Sequence, residues 1–208
     1  MTQTTTAPAR TEAPTVERTP VTQLMWQGGT LIALLGLIAF FGIMRPDAFF
    51  SFGNVRNILM QISILAIIAA AQTVVMVVGD FDLSVGSNAS LSGATAAALM
   101  INETPIPIAI IAGLAVGLGI GIVNGILVAY LGISAIIATL ATMTTFSGLA
   151  FIVTSGTTLY GMPEEFHVLG QGRPAGIPMP VIFATAIALI IWFMLRFTTL
   201  GRRWYAVG

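Results

Sequence analysis

The chain contains no cysteine and no lysine, one histidine, and only 8% charged residues. Each scarcity excludes a class of chemistry. Without cysteine there are no disulfides, iron–sulfur clusters or thiol catalysis. A lone His167 does not suggest a zinc site. Without lysine there is no Gly-Lys-Ser/Thr phosphate loop. The eight basic residues are therefore all arginine, and they balance eight acids. Zero net charge gives no case for nucleic acid or for a polybasic surface patch.

What is present is apolar. Hydrophobic residues make up 56% of the chain, whereas an ordinary soluble domain carries about 25% charged residues. We read an integral membrane protein, an all-α polytopic helix bundle of about six transmembrane helices. Residues 1–23 are rich in threonine and proline with almost nothing apolar, which predicts a disordered tail. Residues 24–208 form the membrane domain. Its expected spans are Leu24–Met44, Ile58–Val78, Leu83–Ile101, Ile108–Tyr130, a fifth ending near Val153, and Val181–Leu195. Arg196 snorkels at the end of the last, and Phe197–Leu200 complete that crossing. The aromatic segment 48–57 is expected to lie along the membrane surface. Six crossings put both termini on one side, with five arginines there against three opposite, so the N-terminus is expected in the cytoplasm.

The chain is organised around Gly79-Asp80-Phe81-Asp82-Leu83-Ser84-Val85-Gly86-Ser87-Asn88. Carboxylates between apolar runs cost a few kcal/mol each on insertion scales. The glycines let the backbone leave helical geometry, so we expect a helix break over Gly79–Gly86. Asp82 is also placed to cap the third span, accepting backbone N–H groups. The fourth span carries Gly113, Gly117, Gly121 and Gly125 at four-residue spacing, flanked by Ala109 and Ala129. That stripe predicts close helix packing.

Several functions compete for the motif. Asp80-x-Asp82-x-Ser84 copies three positions of a calcium loop, but its glycine comes one position late and Leu91 replaces the closing glutamate. An intramembrane aspartyl protease needs carboxylates converging from two helices, and no other span has one. Two transport readings stay open. One is an ion-coupled secondary transporter using Asp82 or Asp80 at a discontinuous helix. The other is a permease gated by a separate ATPase, in which the motif shapes the pathway or gate. Hydroxyl-compatible pathway candidates are Gln72, Thr73, Asp82, Ser84, Gly86, Ser87, Asn88 and Asn124.

Asn57-Ile58-Leu59-x-Gln61 followed by Gly79-x-x-Asp82-Leu83-Ser84-Val85-Gly86-Ser87 resembles the permease subunits of ribose-type monosaccharide importers of the ATP-binding-cassette class. Ile137-Ala138-Thr139-Leu140-x-Thr142-Met143 and Gly148-Leu149-Ala150 look like further blocks of that family. Gly201-Arg202-x-x-Tyr205-Ala206-Val207-Gly208 looks like the start of its cytoplasmic coupling segment, so Gly201, Arg202, Tyr205 and Gly208 inherit that role. The resemblance implies no catalysis and no cofactor in this chain, with ATP hydrolysed by a separate subunit. It implies as partners two ATP-binding-cassette ATPase subunits, a second permease copy and an extracytoplasmic solute-binding protein. It also implies a bacterial cytoplasmic membrane as the location. Three departures stand out. Asp80-Phe81 replaces the usual Gly-Ile, so Asp82 inherits the family role. Ser134-Ala135 replaces a proline pair. Family members continue beyond the coupling segment, so the chain is expected to be the N-terminal part of a permease.

Overall fold

A computed structural model describes residues 20–208, with side chains from Gly28 onward. The described residues are almost wholly helical, without strands. The tail expected over residues 1–23 lies outside the described residues as far as 19, and helix α1 begins at Pro20. The chain forms two compact units, divided between Val55 and Arg56.

The first unit contains α1 (Pro20–Met44), the short α2 (Pro46–Phe49) and the first residues of α3 (Phe52–Val77). Pro46 stands at the first position of α2, where its missing N–H costs nothing. Ser51 and Asn54 then turn the chain into α3. The Ser51 hydroxyl donates to the Ala48 carbonyl at 2.8 Å and accepts from the Asn54 N–H at 3.1 Å. The Asn54 amide donates to the Phe49 carbonyl at 2.8 Å. Phe41 stacks on Phe49 with ring centroids 6.2 Å apart. The segment 48–57 is thus divided between α2, a hydrogen-bonded corner and the start of α3, which begins at Phe52, ahead of the expected start at Ile58.

The second unit holds the rest of α3, α4 (Val85–Ile101), α5 (Ile106–Gly125), α6 (Ala135–Thr154), α7 (Glu164–Gln171), α8 (Met179–Phe197) and α9 (Thr199–Val207). Helix α5 runs on into one π-helical turn, Ile126–Tyr130. Helices α4, α5 and α6 pack together around Leu91, Ile120 and Ala150, with Val116 and Phe146 against them. The residues of α4 are mostly Ser, Ala, Gly and Thr, and small side chains let its neighbours approach closely. Large apolar side chains also point outward: Phe151 and Ile152 are each at least 67% exposed. An outer surface of this kind is suited to lipid and not to water.

Among the described residues, α3, α5 with its π-turn, α6 and α8 are long and apolar enough to cross a membrane. Residues Gly28–Met44 of α1 form a shorter apolar stretch, and α4 has 17 residues. All six expected spans are therefore helices, in the expected order. The end of the sixth differs. Thr198 is extended (φ −99°, ψ 161°), so α8 stops at Phe197 and residues 199–207 form a separate helix instead of completing the crossing.

Candidate functional site

The discontinuity lies between Val77, the last residue of α3, and Val85, the first of α4. Gly79 makes it possible with φ 92°, a left-handed conformation that side chains disfavour. Gly86, expected inside the break, is already helical and has open space beside it.

Asp82 organises the exit from the break. Its Oδ1 accepts the Ser84 backbone N–H at 2.7 Å and the Ser84 hydroxyl at 2.6 Å. An aspartate that accepts the N–H two residues on reproduces a backbone turn with its side chain. Charge-assisted bonds of this kind are about twice as strong as neutral ones. Among the described residues the Asp80 side chain has no such partner. The geometry therefore separates the two carboxylates.

Ser84 is completely buried. Its hydroxyl also accepts from the Asn124 amide of α5 at 2.7 Å. The Asn124 side-chain Oδ1 in turn accepts from the Thr142 hydroxyl of α6 at 2.7 Å. Donors run in one direction, Thr142 to Asn124 to Ser84 to Asp82, and end on a carboxylate. Thr139, one helical turn before Thr142, accepts the Leu83 N–H at 3.1 Å and donates to the Ala135 carbonyl at 2.7 Å. Buried polar groups in apolar surroundings must find partners, and these side chains close their needs on one another. From α3, the Gln72 amide meets the Asp82 backbone: oriented by its partners, it donates to the carbonyl at 3.1 Å and accepts from the N–H at 3.2 Å. Helices α3, α4, α5 and α6 thus all hold the irregular chain around Asp82.

Along α4 the contacts continue. The Ser87 hydroxyl donates to the Ser84 carbonyl at 2.8 Å. The Asn88 amide donates to the Gly117 carbonyl of α5 at 3.2 Å, and the Asn88 carbonyl accepts from Ser92 at 3.1 Å. Gly117 permits this approach, since a β-carbon there would stand 3.0 Å from Ser92 Oγ and 3.1 Å from Asn88 Oδ1. At Gly113 a β-carbon would stand 2.8 Å from the Ser92 carbonyl oxygen. Among the described residues a β-carbon at Gly121 or Gly125 would meet nothing within 4 Å. The glycine stripe therefore makes contact over its first half only, because α4 crosses α5 there and α5 turns π-helical after Gly125.

A cleft of about 630 Å³ opens between α3, α4 and α5, with Asp82, Gln72, Asn88 and Ser92 as its polar lining in largely apolar walls. Of the pathway candidates, Thr73 stands apart: it is exposed, and its hydroxyl donates to the Ala69 carbonyl of its own helix. Thr139 and Thr142 are absent from that set. Their spacing of three places two hydroxyls on one face of α6, although Thr144, Thr145 and Ser147 on the same helix blur the signal. At the other end of the chain, Gly201 is buried against α8, Arg202 and Tyr205 line a separate pocket, and the Gly208 backbone lies against Val77–Gly79. Among the described residues no group of three His, Asp or Glu could hold a metal ion.

Helices apolar on the outside, joined through a buried polar knot at a broken span, define a polytopic membrane protein with a discontinuous helix. Residues 54–208 match the family described as the branched-chain amino acid transport system / permease component, and the chain belongs to it. The ribose import permease protein RbsC of Escherichia coli K12 is 42% identical over 183 residues, 86% of this chain and 57% of RbsC. The D-allose transport system permease protein AlsC of the same organism is 35% identical over 187 residues, 89% of this chain and 57% of AlsC. The L-arabinose ABC transporter permease protein AraH of Azospirillum brasilense is 33% identical over 207 residues, 99% of this chain and 60% of AraH. The chain thus spans less than two thirds of the length of these relatives. No solved structure matches it.

Proposed function

We propose that the chain is part of a membrane permease that moves a monosaccharide, or a similar small polar solute, into the cytoplasm under ATP power. The observation that carries this is the knot at Asp82, set in a chain whose matching relatives are named as ribose, allose and arabinose permeases. A sugar pathway needs hydroxyl partners without a strongly attractive charge, so that the solute can leave again. The cleft offers amides and a hydroxyl, while Asp82 spends one oxygen on Ser84. The matching relatives, named as sugar permeases, favour this reading over the ion-coupled alternative.

In this reading ATP is bound and hydrolysed by two separate cassette subunits that contact the segment from Gly201 to Gly208. A second permease copy completes the pathway, and an extracytoplasmic binding protein delivers the solute. The N-terminus faces the cytoplasm of a bacterial cell, and no cofactor resides in this chain. Purification of a tagged chain from its host membranes, followed by identification of the co-purifying polypeptides, tests the assembly. An ATP-binding subunit in the complex supports the importer. Its absence, with solute uptake that follows an ion gradient, contradicts it.

A further inference from the structure

We propose that the junction of α8 and α9 binds the headgroup of an anionic phospholipid. Arg196, in the last turn of α8, and Arg202 of α9 line one pocket of about 790 Å³ together with Trp192, Leu195 and Tyr205. Among the described residues no carboxylate lines it. Zero net charge over the whole chain conceals this local pair. Two guanidinium groups in one concavity suit a phosphate, which each can grip through a fork of N–H donors.

The junction is built, not floppy. The Thr198 hydroxyl donates to the Met194 carbonyl at 2.5 Å and accepts the Gly201 N–H at 3.2 Å, so one side chain ties the end of α8 to the start of α9. Gly201 lets α9 cross directly over that end, where a β-carbon would collide with the carbonyl oxygens of Leu195 and Met194. These contacts fix Arg202 relative to Arg196.

Depth selects lipid over protein. Trp192 and Leu195 belong to a membrane-spanning helix, and Phe193 and Trp192 both pack on Phe197 with centroids 5.4 and 5.3 Å apart. Aromatic residues of this kind sit at the headgroup level. Helix α9, with Arg202 and Arg203 among Leu200, Trp204 and Val207, has the composition of a helix lying in the interface. A phospholipid presents its phosphate beside acyl chains at that level. The lipid occupies the α8-facing side of Arg202 and Tyr205 and leaves Arg203 and Trp204 of the same helix to the ATP-binding subunits, so the proposal does not depend on the transported solute.

The test uses the full chain with Trp26 and Trp204 replaced by Phe, leaving Trp192 as the only tryptophan. It is placed in bilayer discs containing matched fractions of brominated phosphatidylglycerol or brominated phosphatidylcholine, and quenching of Trp192 is read as relative lipid association. Each arginine near an anionic surface favours it by roughly five-fold, so the glycerol lipid is expected to be preferred by roughly 25-fold. Arg196→Gln with Arg202→Gln brings the preference near unity, and Arg203→Gln leaves most of it. Equal quenching by both lipids in the parent overturns the proposal. So does a preference that survives the double substitution in a protein of parental helicity. A preference abolished by inorganic phosphate in the buffer assigns the site to a free anion and overturns the lipid assignment.

Discussion

Asn124→Asp changes one atom of the knot and reverses its logic. The Ser84 hydroxyl has a single hydrogen, which it gives to Asp82 Oδ1 at 2.6 Å while accepting from Asn124 at 2.7 Å. With aspartate at position 124, two carboxylates compete for that hydrogen at a separation of about 5 Å. At an effective dielectric of about 20 their repulsion is roughly 3 kcal/mol, and the lost amide bond adds about 1 kcal/mol. A change of this size in a chain of this length lowers the melting temperature by roughly 10 °C. Intrinsic tryptophan fluorescence of the purified protein during heating measures the effect. The swap Asp82→Asn with Asn124→Asp restores one carboxylate and one amide around the same hydroxyl. The new amide at position 82 still accepts the Ser84 N–H, and the new carboxylate at position 124 takes the hydroxyl hydrogen. The swap is expected to recover at least half of the loss. A single variant as stable as the parent, or a swap no better than the single variant, refutes the directional chain.

Three further perturbations follow from the same geometry. Thr139→Val leaves the Leu83 N–H without its acceptor, at a cost of about 1–3 kcal/mol; faster hydrogen exchange at Leu83 checks it, and unchanged exchange counts against the contact. Gln72→Leu removes the paired amide contact to the Asp82 backbone and is expected to speed exchange at Asp82 without shifting α4 and α6 apart. Gly113→Leu drives a side chain into the Ser92 carbonyl and disrupts the α4–α5 contact, whereas Gly121→Leu enters open space and leaves the stability of the isolated chain within about 0.5 kcal/mol. Equal loss at both glycines contradicts the half-stripe.

The order of the six apolar spans and the break were legible because they depend on composition and on residues close in sequence, whereas the short helices α2, α7 and α9 were not. Asp82 was read as the cap of the third span; its carboxylate instead closes a turn on Ser84, two residues on, and Ser84 itself is the N-cap of α4, without a side-chain cap bond. The glycine stripe of α5 was readable as a face, but periodicity does not say what stands against it, so Gly121 and Gly125 could not be told from Gly113 and Gly117. Thr139 and Thr142 were hidden by a habit of their residue type: a threonine in an apolar helix usually returns its hydroxyl to its own backbone. Thr139 does that and also accepts from Leu83, 56 residues away in sequence. The end of α8 was misplaced because apolar length was extended across Thr198, whose extended backbone and side-chain cap start a new helix.

The most direct measurement is uptake of whichever labelled monosaccharide the parental chain carries, by host cells with Asp82→Asn or Asp80→Asn in place of the parental residue, with membrane insertion verified for each. Asp82 holds Ser84 and through it α5 and α6, while the Asp80 side chain holds nothing comparable among the described residues. The account predicts that Asp82→Asn lowers uptake at least several-fold more than Asp80→Asn. Equal uptake by both variants and the parent would contradict it.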